Sequence, residues 1–294
     1  MLIRVGFDVI FELPAPAPVL TNLNLHPSRL TSVRRAEALR VEPTAAHLSQ
    51  YTDDFGNTCG RLHAPAGRLR LYNDAIVEDG GWPDELGVGA VQHPIEHLPP
   101  DVLQFLLASR YCEVDLLKDT AWQLFSNCPP GWMLAQQIVN WVHNNVTFGY
   151  QFARNTKGAA DVFRERQGVC RDFAHLAVTF CRCMNIPARY VTGYLGDIGV
   201  PWSPAPMDFS AWFEVYLGGR WWTMDARHNT PRIGRVLMAR GRDATDVALT
   251  TIFGQANLVQ FKVWTDDVTS AGVHGSAGNA TPAVMANPSG VSYS

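Results

Sequence analysis

The stretch Gly168-Val169-Cys170-Arg171-Asp172-Phe173-Ala174-His175 combines a glycine hinge, a cysteine and the opening of an apolar-periodic run. It reads as a turn that delivers Cys170 to the first turn of a buried helix. Unpaired backbone N–H groups and the positive end of the helix dipole favour thiolate over thiol there. The same N–H groups can hold an oxyanion when a thiolate attacks a carbonyl. A buried structural cysteine is the competing reading, because free cysteine is among the most buried residue types. Asp172 fits a first-turn acid that complements the dipole.

A cysteine nucleophile needs a base to take its proton and an acceptor that orients the base. Asp225 closes the run Arg220-Trp221-Trp222-Thr223-Met224-Asp225, where its carboxylate can stand beside the cysteine helix. His228 lies just past that acid in Asp225-Ala226-Arg227-His228-Asn229 and can fold back toward Cys170 if the strand ends at Asp225. His175 follows Cys170 on the same helix, about 140° round the axis, so it faces elsewhere. A metal site built from Cys170, His175, Asp225 and His228 is a weaker reading, since the cysteine and His175 fall on different helix faces. Cys181-Arg182-Cys183 lacks the second pair a zinc site needs and reads as isolated buried thiols. No cofactor and no metal are expected.

These residues must be carried by helices first and a sheet second. Pro100 to Leu107 opens with proline beside an acid, a helix start. In Met133 to Val142, Leu134, Ile138, Trp141 and Val142 recur at the spacing of a core-facing helix. A short helix is expected over Ala159 to Glu165. The cysteine helix turns Phe173, Leu176, Ala177, Phe180 and Met184 to the core and ends before Pro187. The β-branched and aromatic runs Ala188 to Leu195, Ala211 to Leu217 and Arg220 to Asp225 then read as strands. The last two are joined by Gly218-Gly219 as a primed hairpin. This order gives an α+β core with the cysteine at a helix N-terminus packed on an antiparallel sheet.

Upstream, Arg4 to Leu13, Ser32 to Val41 and Gly67 to Asn73 are strand candidates, with a turn at Asp53 to Asn57. They suggest a small all-β sandwich over residues 1–78. Residues 79–100, rich in Gly, Pro and acid, read as a linker, 101–269 as the core, and 270–294 as a flexible tail.

The chain has 294 residues, 47% hydrophobic and 17% charged, with a formal net charge of -3, which excludes a disordered or fibrous protein. No basic stripe marks a nucleic-acid surface, and no uncharged run is long enough to span a bilayer. The charged N-terminus lacks the apolar core of a signal peptide, and six cysteines are too sparse for a disulfide framework. Neither nucleic-acid nor membrane partners are expected, and the expected location is cytoplasmic. The oligomeric state is not encoded legibly.

Four ordered blocks carry a further signal: Gly168 to Ala174, Ile186 to Tyr194, Ala211 to Leu217 and Trp221 to Asp225. Together, over roughly Trp132 to Phe261, they closely resemble the transglutaminase-like family, a branch of the papain-like cysteine hydrolases and acyltransferases. The β-rich N-terminal segment resembles the accessory domain of bacterial members. The resemblance implies a Cys-His-Asp triad acting on amide bonds by way of a thioester, with Cys170 as nucleophile and Asp225 orienting the histidine. The family histidine belongs immediately before Ala211-Trp212, and that position is Ser210. A serine hydroxyl is too weak a base at neutral pH for this task. Either His228 takes part, or His175 does, or no base exists and Cys170 reacts slowly as a dipole-stabilised thiolate or not at all. Tyr150 is a candidate oxyanion donor, and Trp212, Trp221 and Trp222 are candidate acyl-site walls. Two functions follow: a thiol-dependent hydrolase or acyltransferase acting on peptide or glutamine amides of a peptide or protein substrate, and a catalytically impaired binding or scaffold protein.

Overall fold

The computed structural model describes residues 1–35 and 38–269. The core sheet is antiparallel and runs in the order Arg220–Met224, Ser210–Leu217, Ala188–Tyr194, Val236–Gly241. Helix Cys170–Cys183 packs on it, flanked by helices Val114–Phe125, Trp132–Asn145 and Ala159–Glu165. The expected helical stripe holds: Phe173, Leu176, Ala177, Phe180 and Met184 share one buried cluster with Phe213, Val215 and Leu217 of the sheet. The helix closes with Asn185 at φ +61, where Asn185 N–H reaches Arg182 O and Ile186 N–H reaches Cys181 O at 2.9 Å. These are the paired bonds of a Schellman ending, and Pro187 follows.

The Gly218-Gly219 hairpin forms as expected, with both φ angles positive and Leu217 opposite Arg220. The helix beginning at Pro100 runs only to Leu103 and tightens into a 3-10 turn over Gln104–Leu106. Residues 79–100 are less loose than a linker. Asp84 N–H bonds Arg232 O at 2.9 Å, Trp132 N–H bonds Ala90 O at 3.0 Å, and Gly218 N–H bonds Val91 O at 2.8 Å. The segment is a strap fastened across the core.

The N-terminal strands form a sandwich of two sheets, as their alternation implies. Leu2–Leu13 pairs with Gly67–Glu78, and Ala17–Thr21 with Thr58–Ala64. Each sheet is extended from the far end of the chain, because Asn257–Asp267 pairs with Leu2–Leu13 and Thr250–Ile252 with Ala17–Thr21. The sandwich therefore takes strands from both sides of the core segment. Its interior, with Phe7, Val9, Val19 and Leu62, continues into Tyr194, Phe209, Val236 and Met238 of the core. The expected tail at 270–294 lies outside the described residues. Among the described residues no helix is long and apolar enough to cross a membrane.

Candidate active site

Cys170 is the first residue of its helix, after Val169 in extended conformation. The Asp172 carboxylate accepts the Val169 N–H at 3.0 Å and a forked pair from Arg171 at 3.2 and 3.1 Å, so this acid ties down the helix start. Gly168 is required by close approach: a Cβ there would sit 2.6 Å from Asp172 Cβ. Burial pushes the Cys170 thiol up to about 11, and the Asp208 carboxylate adds to this, while Arg227 and the Ala211 N–H work the other way. The net shift is away from thiolate, with burial its largest cause.

Asp225 follows the strand Arg220–Met224 and is fully committed. Its Oδ1 accepts the N–H groups of Arg227 and His228 at 2.9 and 3.0 Å. Its Oδ2 accepts His228 Nδ1 at 2.8 Å and an Arg235 guanidinium N–H at 2.9 Å. Burial opposes the charge, but Arg235 and His228 hold the carboxyl well below the usual carboxylate range. Arg235 also bonds Asp84 of the strap at 2.8 Å and lies over the Trp212 ring at 4.9 Å. The loop after Asp225 is braced by Asn229, whose side chain joins Asn140 and Gln136 of helix Trp132–Asn145 at 3.1 and 3.0 Å.

Ser210 begins the strand beside the cysteine helix, opposite Gly193. It lines a cavity of about 80 Å³ together with Tyr150, Asp208, Arg227, His228 and Arg232. That space has room for several waters. Asp208 is half-buried, and burial raises its carboxyl to about 6 against the pull of the Phe209 N–H and Arg227. The other His228 ring nitrogen has no hydrogen-bond partner among the described residues, and no hydrogen bond joins Cys170 to Ser210, Asp225 or His228.

Asp225 and His228 are thus joined, and His228, Ser210 and Tyr150 share one cavity. His175 is held elsewhere: it stacks on Tyr111 at 5.0 Å, lies 4.9 Å from the Tyr190 ring, and accepts the Ala244 N–H at 3.1 Å. Among the described residues no group of three His, Cys, Asp or Glu side chains is placed to hold a metal. The three tryptophans are packing residues. Trp212 sits among Val191 and Leu237, Trp221 packs edge-on to Phe105, and Trp222 on Trp132. Sequence reasoning missed Asp84, Asp208, Arg232 and Arg235. The recurring arginines of Arg227 to Arg235, directly after the acid, are the signal that was there to read.

A cysteine at the start of a helix packed on an antiparallel sheet, with a buried acid bonded to a histidine after a neighbouring strand, is a papain-like arrangement. The transglutaminase-like superfamily sequence model matches residues 118–226. A solved structure from Cytophaga hutchinsonii, described as a "putative cysteine protease", is 31% identical with a TM-score of 0.77, covering 90% of both chains. An uncharacterized protein of Mycobacterium tuberculosis is 27% identical over 231 residues, 72% of this chain and 74% of that one. An uncharacterized protein of Mycobacterium leprae is 37% identical over 91 residues, 30% of this chain and 32% of that one. The chain belongs to the transglutaminase-like superfamily. That membership supports the class of thiol-dependent hydrolases and acyltransferases and a protein or peptide substrate.

Proposed function

We propose that the chain cleaves or transfers peptide or glutamine amide bonds through a Cys170 acyl-enzyme, with His228 as the base in place of the histidine missing at Ser210. The observation that carries this reading is the 2.8 Å bond from His228 Nδ1 to Asp225 Oδ2, on a histidine that shares its cavity with Ser210. A carboxylate on one ring nitrogen fixes the tautomer and leaves the other free to accept a proton. His228 takes the Cys170 S–H proton as sulfur bonds to the amide carbon. The oxyanion is faced by backbone N–H groups at the helix start. The imidazolium then gives its proton to the departing amine, and the thioester acyl group passes to water or to another amine as His228 takes up the incoming proton.

In the test, Cys170→Ala abolishes turnover of a peptide amide. His228→Ala lowers it by about 10²–10⁴, the usual span for a general base. Full turnover in His228→Ala rejects the role given to His228. A second reading has its own observation: Ser210 stands at the base position beside a thiol raised to about 11. On that reading the chain binds its partner without turnover, and activity appears only in Ser210→His.

A further inference from the structure

The cavity beside Ser210 has a charge pattern that acyl transfer alone does not use. Arg232 is 6% exposed and lines the cavity, yet its Nε is buried without a hydrogen-bond partner. Among the described residues its side chain bonds only the Gly196 carbonyl, at 2.8 Å. Arg227 lines the same cavity and rests on the Phe148 ring at 3.9 Å. Neither arginine has a carboxylate within ion-pair distance among the described residues. Their neighbour Arg235 is paired twice, with Asp84 and Asp225, at 2.8 and 2.9 Å. A buried guanidinium without a counter-ion is costly unless a ligand supplies one.

The charged and titratable groups around the space are Arg227, Arg232 and His228 against Asp197 and Asp208, with Tyr150. The two acids are occupied by backbone: Asp197 accepts the Ser203 N–H at 2.7 Å, and Asp208 accepts that of Phe209. Asp225 and Asp197 act on Arg232 at longer range and Asp208 on Arg227, but among the described residues no carboxylate closes an ion pair with either guanidinium. A planar guanidinium matches a carboxylate bidentately, which a neutral amide cannot reproduce.

We infer that this cavity is a carboxylate-binding subsite, in which Arg227 and Arg232 hold a free carboxylate of the peptide substrate, next to the Cys170 thiol. The inference rests on the proposed function for the identity of the ligand as a peptide, but binding needs no chemistry at Cys170. A C-terminal carboxylate and an Asp or Glu side chain offer the same group. Calorimetric titration of the full chain with four acetylated dipeptides separates them. Two differ only at the C-terminus, free acid against amide, and two amidated ones differ only in carrying aspartate or asparagine.

One acid should bind about tenfold or more tightly than its neutral counterpart, the scale of a charge-assisted bond. Whichever pair shows the preference names the source of the carboxylate. Arg227→Gln and Arg232→Gln should each erase that preference while leaving binding of the neutral form unchanged. Arg227 is half-buried, so its variant keeps the test open if Arg232→Gln does not fold. Equal binding of acid and neutral forms, binding of none of them, or an unchanged preference in Arg227→Gln overturns the subsite. A chain that prefers the acid yet shows no amide turnover keeps the subsite and sinks the catalytic reading instead.

Discussion

At the scale of the residue, the candidate site is an acid and a histidine already bonded, together with a helix-start thiol that burial pushes up. The proposed nucleophile and its acid stood out because their types and spacing are chemically demanding: a cysteine after Gly168 at a helix start, and Asp225 at a strand end. His228 was legible only as one of several alternatives, since nothing in a linear sequence says that the chain reverses within three residues. It does so because Asp225 Oδ1 accepts two successive backbone N–H groups of that loop. The thiol's upward shift was invisible from sequence, because it depends on how deeply the helix start is covered. Asp208 tests this account of the thiol. Its carboxyl sits near 6, so above that pH its charge opposes thiolate formation. Asp208→Asn should lower the Cys170 pKa by up to about one unit, read from the pH dependence of alkylation by iodoacetamide. No shift, or an upward one, contradicts it. Cys128 is the internal comparison, as the other half-buried cysteine, while the remaining four are buried.

At the scale of the element, the strand Ser210–Leu217 is aimed by the residue just before it. Phe209 is buried in the sandwich interior, with its ring 5.8 Å from Phe7, 5.2 Å from Tyr194 and 5.9 Å from Phe261. Asp208 and Ser210 flank that anchor, so the sandwich fixes where the cavity lies. Phe209→Ala should cost about 3–5 kcal/mol in chemical denaturation, the range for a buried phenylalanine. It should also lower turnover in the folded fraction. A loss under about 1 kcal/mol means Phe209 is not the anchor. The helices Trp132–Asn145, Ala159–Glu165 and Cys170–Cys183 were legible to within a few residues, whereas Val114–Phe125 was not read as a helix at all. The strands Val236–Gly241 and Asn257–Asp267 were not legible, because their role is set by distant partners: Ala188–Tyr194 for one and Leu2–Leu13 for the other. The strap was misread as a simple linker for a related reason. Its holds on the core are backbone hydrogen bonds and one carboxylate, Asp84, which leave no periodic trace in the sequence.

At the scale of the whole molecule, the sandwich and the core are one interlocked body, since the chain enters through the sandwich and returns to complete it. Removing residues 1–78 strips Asn257–Asp267 and Thr250–Ile252 of their partners and opens the shared interior around Phe209 and Val236. The truncated chain should therefore be insoluble or lack a cooperative transition, and a sharp thermal transition near that of the full chain contradicts the interlock. Acid stability follows from two buried imidazoles. Burial and nearby arginines lower His26 to about 4, and burial with Arg171 holds His175 well below its ordinary value. Both groups bind protons more readily when unfolded, so their contribution is complete above about pH 6.5 and is lost as pH falls toward 4. The Tm should fall over that interval, and His26→Gln should flatten the fall. An unchanged slope in that variant would remove His26 from the account.

The most direct test of the central claim is the rate at which an activated acyl ester forms a thioester on Cys170, followed by intact mass and peptide mapping. The account predicts a Cys170 adduct in the natural chain, absent in Cys170→Ala and formed about 10²–10⁴ times more slowly in His228→Ala. Equal acylation of Cys128, or an undiminished rate in His228→Ala, contradicts it.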